Sequence, residues 1–155
     1  MKKLIMILVT GMMGFTALFA QQKAAVYVTE GSSAEYAEVA AAAILRELNF
    51  DGTYTAVERT DDFVRVLFKE MGYQRGGAVD DSQIARAGNH LGVDVVVAVN
   101  VTTPLNSVYI NARIINVESS KVISSGTASV KTADLDVESL EKAAKEVAKK
   151  LLFLD

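Results

Sequence analysis

The chain contains 155 residues, of which 50% are hydrophobic and 23% are charged, with 16 Lys and Arg residues against 19 Asp and Glu residues. This length and composition suit a single globular domain and exclude a disordered tail or a collagen-like rod. The absence of cysteine excludes disulfides, thiolate metal ligands, a cysteine nucleophile and the acylated cysteine of a lipoprotein. A formal net charge of −3 without a basic block argues against nucleic acid as the main partner.

Residues 1–20 have the features of a secretory signal peptide. Two lysines follow the first methionine, an apolar run comes next, and Ala20 stands before two polar glutamines. The alternative is an uncleaved membrane anchor, but the apolar run is shorter than the roughly 20 residues that a spanning helix needs. We therefore predict that residues 1–20 are cleaved and that residues 21–155 form one domain, with no membrane span, in the periplasm or outside the cell.

The first half of the mature chain alternates predicted strands and helices. A strand over 24–29 precedes a helix that begins with a capping box of Ser32 and Glu35 and ends near residue 49. A second strand, over 54–58, leads into a helix over 60–72. A shorter helix begins at Asp80 or Asp81 and ends at Gly92.

The second half is predicted to be three strands and a helix. The strand over 93–102 is apolar on both faces and should be covered on both sides. Strands over 108–117 and 122–131 follow as an antiparallel meander, and Val122 is predicted on the apolar face of the last strand together with Ala128 and Val130. Asp136 is predicted to cap the final helix, whose exposed side carries three i,i+4 pairs: Glu138–Lys142, Glu141–Lys145 and Glu146–Lys150.

The predicted order is therefore β-α-β-α-α-β-β-β-α. Elements in this order are typical of an α/β single-domain sandwich, in which helices pack on a mixed sheet of about five strands.

Residue types that carry chemistry are scarce. His90 is the single histidine and falls near a predicted helix end, where interaction with the last carbonyls is the more common role. The acidic doublets at 61–62 and 80–81 stand at predicted helix starts, which favours capping over metal binding. The glycine-containing segment 72–77 lacks the lysine of a phosphate-binding P-loop. We predict no enzymatic activity, no cofactor and no metal.

The segment 72–77 is a candidate contact loop. Tyr73, Gln74 and Arg75 are flanked by glycines, and an aromatic ring next to a planar cation is a composition enriched at protein interfaces. The alternative is a connecting loop in which Tyr73 packs back on the domain.

One stretch of the chain matches a family pattern. Glu58-Arg59, an amphipathic helix, the Gly76-Gly77 loop, Asp80-Asp81, and a helix into Gly88-Asn89-His90-Leu91-Gly92 before a valine strand resemble the CsgG-like superfamily. That group includes the curli secretion-channel lipoprotein and the penicillin-binding-protein activator LpoB, and it is similar to the N-terminal domain of TolB. The resemblance implies a structural role for Glu58 and Arg59 at a strand–helix junction, and packing and helix-end roles for Gly88 and Gly92.

The resemblance also implies an envelope protein that binds other proteins and performs no reaction. Together with the predicted leader, it indicates a non-catalytic periplasmic protein-binding module that serves cell-wall synthesis or secretion machinery. The alternative is a periplasmic protein that binds a small ligand or glycan in a cleft between the sheet and the segment 73–77. Self-association through the exposed strand 122–131 stays open, because Lys121 and Lys131 blunt that edge in part.

Overall fold

A computed structural model describes residues 20–29, 32–57 and 80–153 of the chain. Within these ranges, five strands form one sheet and three helices pack on it. The elements are β1 (Gln22–Val28), α1 (Ala34–Asp51), β2 (Tyr54–Ala56), α2 (Asp81–Leu91), β3 (Val95–Thr102), β4 (Ser107–Asn116), β5 (Lys121–Lys131), a 3₁₀ turn (Thr132–Asp134) and α3 (Val137–Leu151). The predicted helix over 60–72 lies outside the described residues.

The sheet has the strand order β2-β1-β3-β4-β5. Strand β1 pairs in parallel with β2 and β3, whereas β3, β4 and β5 pair antiparallel in sequence order. At the centre, Val97 lies opposite Val26 on one side and opposite Ile114 on the other. The prediction of an α/β fold with a mixed five-stranded sheet and a C-terminal meander is confirmed.

The two faces of the sheet are covered differently. Helices α1 and α3 cover one face, which includes Val95, Val97, Val99 and Val101 of β3. Helix α2 packs on the other face, against β1, β3 and Ile115. Residues Val95 to Val99 of β3 are all buried, so the strand is enclosed from both sides as its two-sided apolar pattern predicts.

Helix α1 approaches the sheet through small residues and begins one residue later than predicted. Ala37, Ala40 and Ala43 are almost fully buried, and the left-handed Gly52 ends the helix. The predicted capping box at Ser32 is wrong, because Ser33 is the N-cap residue. The Ser32 hydroxyl instead accepts a hydrogen bond from the backbone N–H of Val101, at 3.2 Å.

Helices α2 and α3 begin with the predicted caps. The Asp80 side chain accepts from the backbone of the first turn of α2, and the Gln83 side chain bonds back to the Asp80 N–H. Asp136 and Ser139 form the equivalent reciprocal pair at the start of α3. Such caps satisfy N–H groups that have no partner within the helix.

Two charged residues of α3 pair with α1, and among the described residues no ion pair joins two charges along α3 itself. Glu141 lies 3.4 Å from Arg46, and Lys145 lies 3.6 Å from Glu47. The predicted Glu141–Lys145 pair is therefore wrong. Because α1 lies alongside α3, each of these side chains reaches a partner on the neighbouring helix.

A β-bulge changes the side-chain alternation at the start of β5. The register shifts between Ile114 and Ile115, so that Ser124 lies opposite Ile114 and Val122 lies opposite Ile115. The extra residue, Ile123, moves Val122 away from the face of Ala128 and Val130, where simple alternation had placed it. Val122 and Ile123 are consequently 43% and 45% exposed.

Replacing Gly88 should separate α2 from the sheet. A Cβ atom at Gly88 would lie 2.6 Å from methyl carbons of both Val96 and Val117, which is far inside van der Waals contact. We expect Gly88→Ala to lower the free energy of unfolding by about 1–3 kcal/mol, measured from the urea midpoint at an unchanged m-value. Asn89→Ala, at an exposed position of the same helix, is the control. Equal midpoints for the two variants would contradict the packing described.

The cap of α3 should make stability depend on pH. The backbone N–H of Ser139, with a smaller contribution from its hydroxyl, holds the pKa of Asp136 below its ordinary value of 3.8. Because the unfolded state then binds a proton more readily, the stabilisation is present above the ordinary pKa and is lost as the pH falls through the folded-state pKa.

We expect Asp136→Asn, which keeps a cap acceptor but removes the charge, to have a lower free energy of unfolding than the parent near neutral pH. This difference should disappear in acid. Asp134→Asn, which removes a nearby carboxylate without touching the first turn of α3, is the matched control. Parallel stability curves for the parent and Asp136→Asn from about pH 7 to about pH 2 would rule out the linkage.

Candidate functional site

The face of the sheet on which α2 packs also contains exposed or half-buried polar residues of β4 and β5. We call this polar part of that face the open face. Strands β4 and β5 each turn alternate residues toward it, because the intervening residues pack under α3. Its members are Tyr109, Asn111 and Arg113 of β4 and Ser125, Thr127 and Ser129 of β5. The three β5 residues are exposed, and the β4 residues are exposed or half-buried.

An ion pair marks the border between the open face and α2. The Nε atom of Arg113 donates to the Oδ1 atom of Asp81 at 2.8 Å, and the two side chains are 32% and 33% exposed. The pair links the first turn of α2 to β4. Because only the Nε donor is used in this bond, the rest of the guanidinium can bind a partner at the same border.

A hydrogen bond between β4 and β5 fixes two side chains of the open face. Thr127 lies opposite Asn111, and its hydroxyl donates to the Asn111 side-chain oxygen at 2.9 Å. Tyr109 is 40% exposed and lies between Thr102 of β3 and Ser129 of β5. An ordered polar strand surface that carries an aromatic ring suits contact with another macromolecule, since few side chains need to be immobilised.

A second polar cluster lies where β1 and β3 end. The Asn100 side chain donates to the hydroxyls of Thr29, at 2.7 Å, and Ser32, at 3.3 Å. The carboxyl ends of neighbouring parallel strands, where the chain order reverses, are the usual ligand position in α/β sheets. Here, however, these polar groups bond to each other and to β3, so the cluster fixes the entry of α1 onto the sheet.

One apolar cavity lies between α2 and the sheet, bordered by Tyr27, Ile84, Gly88 and Leu91 among others. Its volume is about 10 Å³, which is room for a single water molecule. It does not accommodate a small organic ligand.

Groups that could carry chemistry are dispersed over the described residues. His90 is exposed in the last turn of α2. Across 20–29, 32–57 and 80–153, His, Asp and Glu side chains do not gather in groups of three or more that could hold a metal ion. Within the same ranges, no helix is both long and apolar enough to span a membrane.

The site residues named from the sequence fall into two sets. Glu58, Arg59, Tyr73, Gln74 and Arg75 lie outside the described residues. Gly88 and Gly92 are described.

Gly88 lies where α2 meets the valines of the sheet, and Gly92 follows α2 with a φ of 67°. Sequence reasoning did not name the open face as a site. The available signal was the polar half of the alternation in β4 and β5, which appears in each strand separately.

Comparison with protein families and solved structures supports the fold. A family model described as FlgO protein matches residues 75–135, which is less than half of the chain. No curated protein matches the sequence significantly.

Lipoprotein GNA1162 from Neisseria meningitidis is similar, with 18% identity and a TM-score of 0.52, over 80% of this chain and 91% of that one. TolB from Acinetobacter baumannii has 11% identity and a TM-score of 0.56, over 87% of this chain but 28% of TolB. The LpoB C-terminal domain from Escherichia coli has 20% identity and a TM-score of 0.48, over 77% of this chain and 90% of that domain.

At these identities, the matches to GNA1162 and TolB establish a shared fold. The narrower CsgG-like assignment made from the sequence stays a prediction.

Substitutions in the two polar regions should have different effects on stability. Asn100→Ala removes two donated bonds and leaves hydroxyls without a donor in a half-buried cluster, so we expect a loss of about 1–2 kcal/mol in the free energy of unfolding. Tyr109→Ala removes a partly exposed side chain and should cost less. Urea unfolding of both variants makes the comparison, and a larger loss for Tyr109→Ala would show that Tyr109 serves the core.

Proposed function

We propose that this protein is a non-catalytic periplasmic accessory protein of the cell envelope that acts by binding another protein. The open face carries this proposal. In the part of the chain that the structure describes, α1 and α3 cover one side of the sheet and α2 covers part of the other, while the strand surface with the exposed Tyr109 and the half-buried Arg113 is available for contact. Tyrosine and arginine are enriched among residues that contribute most to protein–protein binding.

Two observations support a place in the envelope. Residues 1–20 have the charge and apolar pattern of an export signal. The fold is shared with a protein whose name identifies it as a lipoprotein, GNA1162. In the proposed role the mature chain acts without a lipid anchor of its own, since the sequence contains no cysteine to acylate.

The segment at 73–75 is part of the proposal as a second contact. Tyr73, Gln74 and Arg75 combine the same residue types as the open face. The FlgO family match begins at residue 75 and continues through β5. The match therefore includes Arg75 but neither Tyr73 nor Gln74. In the proposed role, one protein partner contacts both this segment and the open face.

Binding of a small ligand or glycan remains the alternative from the sequence, in a cleft beside residues 73–77. The cavity beneath α2 does not offer a second place for such a ligand, because its volume is only about 10 Å³. A thermal-shift screen with cell-wall fragments and nucleotides separates the two functions, since a ligand that binds the folded state raises the melting temperature.

Export can be tested with the leader alone. We expect residues 1–24 fused to alkaline phosphatase, which is active only after export, to give active enzyme in a two-membrane bacterium. Replacing both leader lysines, Lys2 and Lys3, with glutamate should reduce that activity, because the positive start is part of the signal. An inactive fusion that accumulates in the cytoplasm would contradict periplasmic localisation.

Partner binding can be tested with a photo-crosslinking amino acid placed in the folded protein. At Tyr109 it should capture a defined envelope protein in native cells, whereas at Glu38, an exposed position of α1, it should not. Arg113→Ala in the Tyr109 crosslinking background should reduce the yield. Equal labelling from both positions would remove the open face as the contact surface.

A further inference from the structure

Strand β5 forms one edge of the sheet. It contains 11 residues and pairs with β4 along one side. At its centre, the Nζ atom of Lys150 donates to the backbone carbonyl of Thr127 at 2.6 Å. That carbonyl therefore points away from β4. Because successive residues of an antiparallel strand turn their N–H and C=O groups to opposite sides, Ser125 and Ser129 present theirs outward with Thr127.

The side chains along this edge allow close approach of another backbone. Ser125, Thr127 and Ser129 are small and exposed, and Gly126 and Ala128 lie between them under α3. A neighbouring strand comes to about 4.8 Å, a distance that side chains of this size do not obstruct. At the start of β5, the bulge leaves Val122 and Ile123 about half exposed, which provides apolar contact area beside the free backbone groups.

The charge along the edge is positive. Lys121 and Lys131 stand at its two ends, and Lys150 lies over its centre. Among the described residues, none of these three ammonium groups forms an ion pair. The edge thus differs from the chain as a whole, whose formal net charge is −3.

The positive charge of this edge disfavours pairing between the β5 strands of two copies of the chain. A two-fold antiparallel pairing of two β5 edges around Gly126 brings Lys121 of one copy close to Lys131 of the other, within one position when the bulge at Ile123 is counted. It also brings the two Lys150 side chains to the same centre. Like charges directly opposite each other destabilise a strand pair, whereas opposite charges stabilise it.

We propose that β5 binds an extended, acidic segment of a partner protein as an additional strand of the sheet. Main-chain bonds form at Ser125, Thr127 and Ser129, and Lys150 exchanges the Thr127 carbonyl for a carboxylate of the partner. Strand addition of this kind obtains affinity from the backbone and specificity from side chains. The inference rests on the proposed protein-binding function and gives it a partner chemistry.

The test uses the mature chain and a synthetic peptide of about ten residues in which valine and glutamate alternate, a length that can pair along β5. Its controls are the same peptide with lysine in place of glutamate, and the acidic peptide with two central prolines, which cannot extend a ladder. We expect the acidic peptide to bind at least about tenfold more tightly than either control, and more weakly as salt is added.

Amide hydrogen exchange locates the contact. Binding of the acidic peptide should slow exchange at the outward N–H groups of Ser125, Thr127 and Ser129. Protection elsewhere, or equal binding of all three peptides, would overturn the inference. So would protection of the same amides that rises with protein concentration in the absence of peptide, because the occupant would then be a second copy.

Charge reversal provides the matched variants. Lys150→Glu should abolish binding of the acidic peptide and favour the lysine peptide. Lys149→Glu makes the same charge change about 100° around the helix and should have little effect. If the peptides fail while crosslinking at Tyr109 still captures a defined envelope protein, the strand-addition inference is wrong and the proposed function stands. Failure of both experiments removes both.

Discussion

Burial of β3 on both faces is the constraint on which the rest of the structure depends. Its valines are too apolar to be left in water on either side, so one face must lie under α1 and α3 and the other under α2. Each fully buried valine contributes roughly 1.5–3 kcal/mol. The strand therefore occupies the centre of the sheet, and the parallel β1–β2 pair and the antiparallel β4–β5 pair extend from its two sides.

The same constraint explains where a polar surface can exist. Within the described residues, α1 and α3 cover one face of the sheet, whereas α2 packs on the other face mainly against β1, β3 and Ile115 and leaves polar residues of β4 and β5 exposed or half-buried. Beyond Ile115, the residues of β4 and β5 that turn to this side are hydroxyl, amide, aromatic and guanidinium groups, which are compatible with water. The Arg113–Asp81 pair lies at this boundary. In the proposed function, contact with a partner uses surface that the core does not require.

The edge strand β5 offers a second surface for binding, which consists of outward backbone groups. A strand at the edge of a sheet exposes backbone groups that other chains can pair with, and proteins commonly protect such groups with lysines or bulges. Here the bulge lies at Ile123, whereas Lys150 donates to the carbonyl of Thr127, further along β5. In the proposed strand addition, protection by charge is selective, because it repels another copy of the same chain and attracts a strand of opposite charge.

Much of the local structure follows from the sequence. Two-sided apolarity of the valine run predicts a central strand, and Asp80 and Asp136 mark helix starts, because these signals act within a few residues. Ser32, Val122 and Glu141 are different. Their partners are the β3 backbone, Ile115 across a bulge, and Arg46 on another helix, none of which a local pattern can specify.

The open face shows the same limit. Alternation in β4 and in β5 marks a polar side in each strand, but only the register between them places Thr127 opposite Asn111. Within the described residues, the packing of α2 leaves Thr127 exposed and Asn111 half-buried. The amino-acid sequence alone therefore determined the order of the described elements, the caps of α2 and α3 and the central strand. The tertiary structure decided which polar residues share a surface, because that depends on contacts between segments far apart in the chain.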